Sequence, residues 1–154
     1  MYIHRMNTGD FASEVGAVLD HIGIAVRGFT SASALFRILG LEVLATETVA
    51  EQGVEVAVIP AGGTRLELLR PLDDSSSIAG FLDRRGEGLH HIALRVENIR
   101  SALNRCRDAG IELIDDTPRR GVGGSWIAFL HPRSTGGILI ELVQYDSARQ
   151  EERR

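Results

Sequence analysis

Apolar positions in this chain alternate with small or polar ones in short bursts, and one such burst comes twice. "LDHIGIAV" (Leu19–Val26) and "LHHIALRV" (Leu89–Val96) align histidine on histidine, His91 standing 70 residues after His21. "GLEVL" from Gly40 and "GIELI" from Gly110 repeat the offset of 70. A third pair of apolar strands is interrupted by one acid each, "RLELL" around Glu67 and "LIELV" around Glu141, at an offset of 74 that a short loop insertion explains. Self-similarity at a fixed period marks a duplicated unit whose copies bury their apolar faces together.

Each copy predicts a strand, a helix and three further strands. In the second copy Asn98 is placed to cap a helix, and Ile99, Ala102, Leu103 and Cys106 form an apolar stripe that Gly110 ends. In the first, Thr30 or Ser31 is the expected cap, Leu35, Ile38 and Leu39 the stripe, and Gly40 the stop. Strands are expected near residues 42–49, 54–59 and 65–69, then near 111–115, 125–130 and 137–145. "DDSSSIAGFLDRRGEG" reads as a linker holding a short helix that starts near Ser77. The expected fold class is therefore α+β: two tandem βαβββ modules, about 18–70 and 88–145, joined by a linker at about 71–87 into one domain. Residues 1–17 and 146–154 lack periodicity and read as flexible ends, which leaves His4 outside any expected site.

Side chains alternate across a strand, so parity assigns faces. His21, Gly23 and Ala25 share one face of the first strand, and His91, Ala93 and Arg95 share the equivalent face of its copy. Small neighbours let that face line a cavity. His90 falls with Ile92, Leu94 and Val96, on the face toward the packed helix, and reads as a core or interface histidine. Glu67 and Glu141 stand between apolar neighbours, and on a single strand either would read as an acid on a wet sheet face. Recurrence on equivalent strands points instead to a shared site, because a lone buried carboxylate costs several kcal/mol. Two imidazoles and two carboxylates suit a divalent ion, with about two of six positions left for water or substrate.

Composition narrows the partners. The 154 residues carry a formal net charge of -4 with arginines scattered along the chain, which excludes nucleic acid as the main partner. No apolar run approaches the roughly 18 residues of a membrane span. The one cysteine, Cys106, cannot form an internal disulfide, and "MYIHRMNTGD" lacks a secretory pattern, so a cytoplasmic location is expected.

At these residues the chain resembles the vicinal oxygen chelate (glyoxalase/bleomycin resistance/dioxygenase) superfamily, and within it the methylmalonyl-CoA epimerases. The resemblance spans about Val18 to Tyr145 and is carried by "LDHIGIAV", "EQGVEVAVIP", "LELLRPLDDSSSIAGFL", "GEGLHHIALRV", "GVGGSWIAFLHP" and "GGILIELVQY". It implies two βαβββ modules enclosing a metal, a homodimer, and a methylmalonyl-CoA (acyl-CoA) substrate. Carried over by position, the metal ligands are His21, Glu67, His91 and Glu141, with glutamine replacing the second in some relatives. The implied ion is Co2+, with Zn2+, Mn2+, Ni2+ or Mg2+ as other candidates.

The family's general base falls on Glu51 in "AEQGVEV", which by its residues alone reads as a solvated loop acid; Glu141 is the implied second base. "GVGGSW" (Gly121–Trp126) either offers backbone N–H groups to a substrate carboxylate or simply makes a tight turn. Arg119, Arg120 and Arg133 either meet the phosphates of coenzyme A or are solvated. Trp126 reads as packing and His131 as structural.

Three rival readings share this fold. A glyoxalase-I-like lactoylglutathione lyase has similar ligands, but the Glu51 loop and "FLHPRSTGG" favour the epimerase. An extradiol dioxygenase needs only two histidines and one carboxylate, and Glu67 is one ligand too many. A metal-free binding protein needs an aromatic-lined cleft, and only 5% of the chain is aromatic.

Overall fold

Eight strands and three helices follow one another in the computed structural model, which describes residues 16–146. His4 and both expected flexible ends, apart from Gly16, Ala17 and Asp146, lie outside the described residues. In chain order the elements are β1 (Ala17–Ala25), α1 (Phe29–Ile38), β2 (Ala45–Val49), β3 (Val54–Ala61), β4 (Thr64–Pro71), α2 (Ser77–Arg85), β5 (Gly88–Val96), α3 (Ile99–Asp108), β6 (Arg119–Arg120), β7 (Trp126–Leu130) and β8 (Ile140–Gln144). The strands form one curled mixed sheet in the order β2-β3-β4-β1-β5-β8-β7-β6. Each module supplies four adjacent strands. In each, the first and last pair in parallel, β1 with β4 and β5 with β8, and the modules join through antiparallel β1 and β5. The α+β class and the tandem βαβββ plan thus hold, with both halves sharing one continuous sheet.

The central β1–β5 ladder is interrupted twice. Leu19 pairs with Leu94 but His21 with Ala93, which leaves Asp20 as an extra residue in β1. Gly23 pairs with His91 but Ile24 with Leu89, which leaves His90 extra in β5. An extra residue bends its strand and re-aims side chains, so these two bulges alter what strict alternation would place on each face.

Helix α3 follows its expected stripe. Ile99, Ala102 and Leu103 are buried against Val96, Ala128, Leu130 and Leu142, with Cys106 packed beside them, and Asn98 caps the helix by accepting from the Ser101 N–H at 2.9 Å. Each fully buried aliphatic side chain contributes about 1.5–3 kcal/mol. Helix α2 is capped by Ser76 and seats Ile78 and Leu82 on Ala25, Val54, Val56 and Leu69.

Helix α1 departs from expectation. It starts at Phe29 after Gly28, without a Thr30 or Ser31 cap, and packs Phe29, Ala32 and Phe36 on Ile59 and Leu68. The two aromatic rings bring more apolar area to the sheet than the aliphatic stripe does. Leu35, Ile38 and Leu39 accordingly face solvent, at 60%, 82% and 67% exposure.

The strand expected near 111–115 is also absent; one bridge, Leu113 to Leu130, remains. The Ile114 N–H still donates to the Phe129 carbonyl and the His131 N–H to that of Glu112, but the Asp115 carboxylate takes the Phe129 N–H and Arg119 Nε, and β6 holds the edge position. Strand β8 begins only at Ile140 because Gly136 and Gly137 adopt positive φ in the preceding turn. Among the described residues no helix is long and apolar enough to cross a membrane.

Candidate active site

The duplication places one histidine of each module beside a small residue of the other: His21 pairs with Ala93, and His91 with Gly23. On the outer flanks Glu67 of β4 pairs with Gly23 and Glu141 of β8 with Ala93. Four polar side chains therefore converge where their backbone partners carry little bulk. All four are at least 95% buried, at the floor of a cavity of about 220 Å³.

The donor atoms lie at ligand spacing. His21 Nε2 is 3.1 Å from His91 Nε2 and 3.1 Å from Glu141 Oε2, and His91 Nε2 is 3.6 Å from the same oxygen. With bonds of about 2.0–2.2 Å to a common ion, neighbouring ligand atoms stand roughly 3.0 Å apart at right angles and roughly 3.5 Å apart in a tetrahedron. His21, His91 and Glu141 meet that spacing and form a group able to hold a metal ion. Glu67 stands just outside the group: its Oε2 is 3.3 Å from His21 Nε2, while its Oε1 accepts from Arg65 Nε at 2.8 Å.

Glu141 Oε2 supplies the test of fit. It is buried and, apart from the 3.1 Å approach of His21 Nε2, has no hydrogen-bond partner, an expensive condition for a carboxylate oxygen unless a cation takes its remaining lone pairs. Burial pushes the Glu141 carboxyl above its usual range, although the hydrogen bond with His21 opposes this. Burial alone would lower the pKa of His21, but its hydrogen bonds to Asp20 and Glu141 and the charge of Glu67 raise it to about 9. His91 is driven well down, first by burial and then by the charges of His21 and His90. The site thus holds one imidazole kept protonated by its acidic neighbours and one kept neutral, around a buried carboxyl.

Behind His21 lies a charged network that sequence reasoning missed. His21 Nδ1 lies 2.8 Å from Asp20 Oδ2, which also receives Arg65 at 2.8 Å and the Tyr145 hydroxyl at 2.8 Å. Arg65 therefore bridges Asp20 and Glu67, and its Nη2 donates to Tyr145 at 2.6 Å. Burial works against the Asp20 carboxylate, yet the His21 hydrogen bond and the Arg65 charge hold its pKa well below the usual range. The signals in the sequence were Asp20 beside His21 and Arg65 two positions before Glu67 on one strand face.

Other expected residues are placed as follows. His90 does pack on a helix, edge-to-face on Phe81 of α2, but it also lines the cavity and sits 2.9 Å from His91, Nδ1 to Nδ1. The bulge corrects its assignment to the apolar face. Glu51 lies exposed on a 3-10 turn (Ala50–Gln52), and its neighbour Gln52 lines the cavity in its stead.

In the glycine-rich turn, the Gly123 N–H donates to both carboxylate oxygens of Glu47, at 2.9 and 3.0 Å, so the anion it meets is a side chain of the other module. Arg119 lines the cavity and pairs with Asp115, Arg120 lies over the Trp126 ring and Arg133 pairs with Glu112. His131 caps the turn Pro132–Ser134 by accepting from the Arg133 N–H, a structural role.

A curled sheet of duplicated βαβββ modules with a buried His-His-Glu group defines a class of small metal-site proteins. The profile of the Glyoxalase/Bleomycin resistance protein/Dioxygenase superfamily matches residues 20–129. This chain belongs to that superfamily. It is 45% identical over 127 residues to an uncharacterized protein of Bacillus subtilis (82% of this chain, 91% of the relative). It is 40% identical over 129 residues to the ethylmalonyl-CoA/methylmalonyl-CoA epimerase of Cereibacter sphaeroides (82% of this chain, 96% of the relative). A solved methylmalonyl-CoA epimerase in complex with methylmalonyl-CoA and NH4+ superposes with a TM-score of 0.77 at 38% identity, over 84% of this chain and 94% of that one.

Proposed function

We propose that this protein is a metal-dependent epimerase that interconverts the (R) and (S) forms of methylmalonyl-CoA. The observation that carries the reading is the buried Glu141 Oε2, which faces only the Nε2 atoms of His21 and His91, at 3.1 and 3.6 Å, among the residues lining the cavity. Its relatives of known name act on the same class of substrate.

The acidic carbon of the substrate lies between a thioester and a carboxylate, and inverting it requires one proton carrier on each side. His21, His91 and Glu141, with Glu67 beside them, would hold the divalent ion, Co2+ by the family resemblance. When bound, that ion supplies Lewis-acid stabilisation of the charge that develops on the thioester oxygen. Glu141, buried among apolar and imidazole groups, has the raised affinity for protons that suits one carrier. Glu51, by the family resemblance, is the other; it lies on the turn Ala50–Gln52, next to Gln52, which lines the cavity. Val54, Val56, Leu69 and Ile78 give the cavity an apolar wall that suits a methyl branch, and Arg119 a positive edge that suits the substrate carboxylate.

The same reading includes a homodimer, supported by the exposed Leu35, Ile38, Leu39 and Leu44, and a reducing, cytoplasmic setting for the free thiol of Cys106. Proton NMR of methylmalonyl-CoA in deuterated water with Co2+-loaded protein tests the activity. Exchange at the acidic carbon is expected; its absence, or turnover of methylglyoxal with glutathione instead, overturns the reading.

A further inference from the structure

The residues immediately before the two site histidines, Asp20 and His90, occupy equivalent places in the repeat, and both are bulge residues of the central ladder. Each bulge turns the side chain of its extra residue onto the histidine that follows. Asp20 Oδ2 meets Nδ1 of His21 at 2.8 Å, and His90 Nδ1 meets Nδ1 of His91 at 2.9 Å. The His90 ring is held in turn by Phe81 of α2, centroids 4.9 Å apart at 75°. Linker helix and bulge together fix the contact.

We propose that His90 is the positioning residue of His91, the neutral counterpart of Asp20: it accepts the Nδ1–H of His91 and so keeps Nε2 of His91 unprotonated and turned toward the site. Two ring nitrogens at hydrogen-bond distance share one proton, so one ring donates and the other accepts. A histidine that offers Nε2 to a cation carries its proton on Nδ1, and a partner at that proton sets the tautomer. His91 must then be the donor, which places the remaining proton of His90 on Nε2. The two modules thereby back their ligand histidines differently. A carboxylate tied to Arg65 and Tyr145 stands behind His21, and an uncharged imidazole behind His91.

This inference rests on the metal-site reading, and two measurements separate their failures. Long-range 1H–15N spectra of 15N-histidine-labelled protein, without added metal and with Zn2+, report each tautomer. We expect Nδ1–H for His91 and Nε2–H for His90 in both; Nε2–H on His91 or Nδ1–H on His90 overturns the proposal even if a variant fails to fold. Titration with Zn2+ and with Co2+ then compares His90→Asn, which retains an acceptor near the position of Nδ1, with His90→Phe, which has none. Losing the backing partner of a ligand histidine weakens metal binding about 10–100-fold, so His90→Phe should fall in that range with a shifted Co2+ absorption band, and His90→Asn should recover most of the loss. His90→Phe binding as tightly as the unaltered protein overturns the proposal. Failure of the unaltered protein to bind either ion overturns the metal reading, and the tautomers still decide the role of His90.

Discussion

Gly23 leaves room for His91: a Cβ built on Gly23 would fall 2.2 Å from Cε1 of the imidazole, 2.4 Å from Nδ1 and 2.7 Å from Nε2. The two residues are partners across the β1–β5 ladder, so the ring of one module lies over the bare backbone of the other. Gly23→Ala must push the ring off its position. Overpacking of this kind costs about 1–3 kcal/mol, and metal affinity should fall by more than about tenfold because His91 no longer faces His21. Thermal unfolding with and without Co2+ checks both parts. A variant with unaltered affinity would show that His91 is free to sit elsewhere.

Glu51→Gln and Glu141→Gln should fail in different ways. Glu51 lies on an exposed turn and is not part of the donor group, so its amide should nearly abolish hydrogen exchange into methylmalonyl-CoA while leaving metal content intact. Glu141 shares the buried donor group, so its amide should lower metal content and exchange together. Metal analysis run beside the exchange assay distinguishes the two. Full activity in Glu51→Gln removes that residue from the mechanism.

The convergence of His21, His91, Glu67 and Glu141 was legible in the sequence because a duplicated chain must bring equivalent strands together at its pseudo-symmetry axis. Parity then chose His91 over His90. What parity could not register was a bulge: inserting one residue at Asp20 and one at His90 brings both neighbours into contact with the site histidines, and no composition signal marks such an insertion. The face of α1 was misassigned for a related reason. Its apolar residues allow two stripes, and docking of Phe29 and Phe36 on Ile59 and Leu68 chooses between them. The link from Asp20 through Arg65 to Tyr145 joins residues far apart in the chain and belongs to no motif.

Arg65 is the cation that makes this network tolerable. Its side chain is only 12% exposed, and it pairs with two carboxylates that are almost wholly buried. Arg65→Met leaves Asp20 and Glu67 without that partner, and breaking a buried pair from one side costs about 3–5 kcal/mol. Adding Glu67→Gln removes one of the stranded charges and should recover part of the loss. Urea denaturation of the single and double variants, both metal-free, measures the difference. A cost under about 1 kcal/mol for Arg65→Met would mean that the two carboxylates find other partners.

Metal uptake should compete with protons at His21. Its pKa in the folded protein is raised from the ordinary 6.5 to about 9, so near neutral pH the ring carries a second proton that a cation must displace. Displacing one proton makes the apparent affinity rise about tenfold per pH unit, flattening as pH approaches 9. Stability without metal should move the opposite way. A raised folded-state pKa contributes stability that is complete below 6.5 and is lost as pH climbs through about 9, so the chelated protein should melt at lower temperature at pH 9.5 than at pH 6.5. With saturating Co2+ the imidazole is already deprotonated, and this decline should shrink. Melting curves at both pH values, with chelator and with Co2+, give four numbers. A decline of equal size with and without metal would separate His21 from the bound ion and leave the raised pKa a property of Asp20 and Glu141 alone.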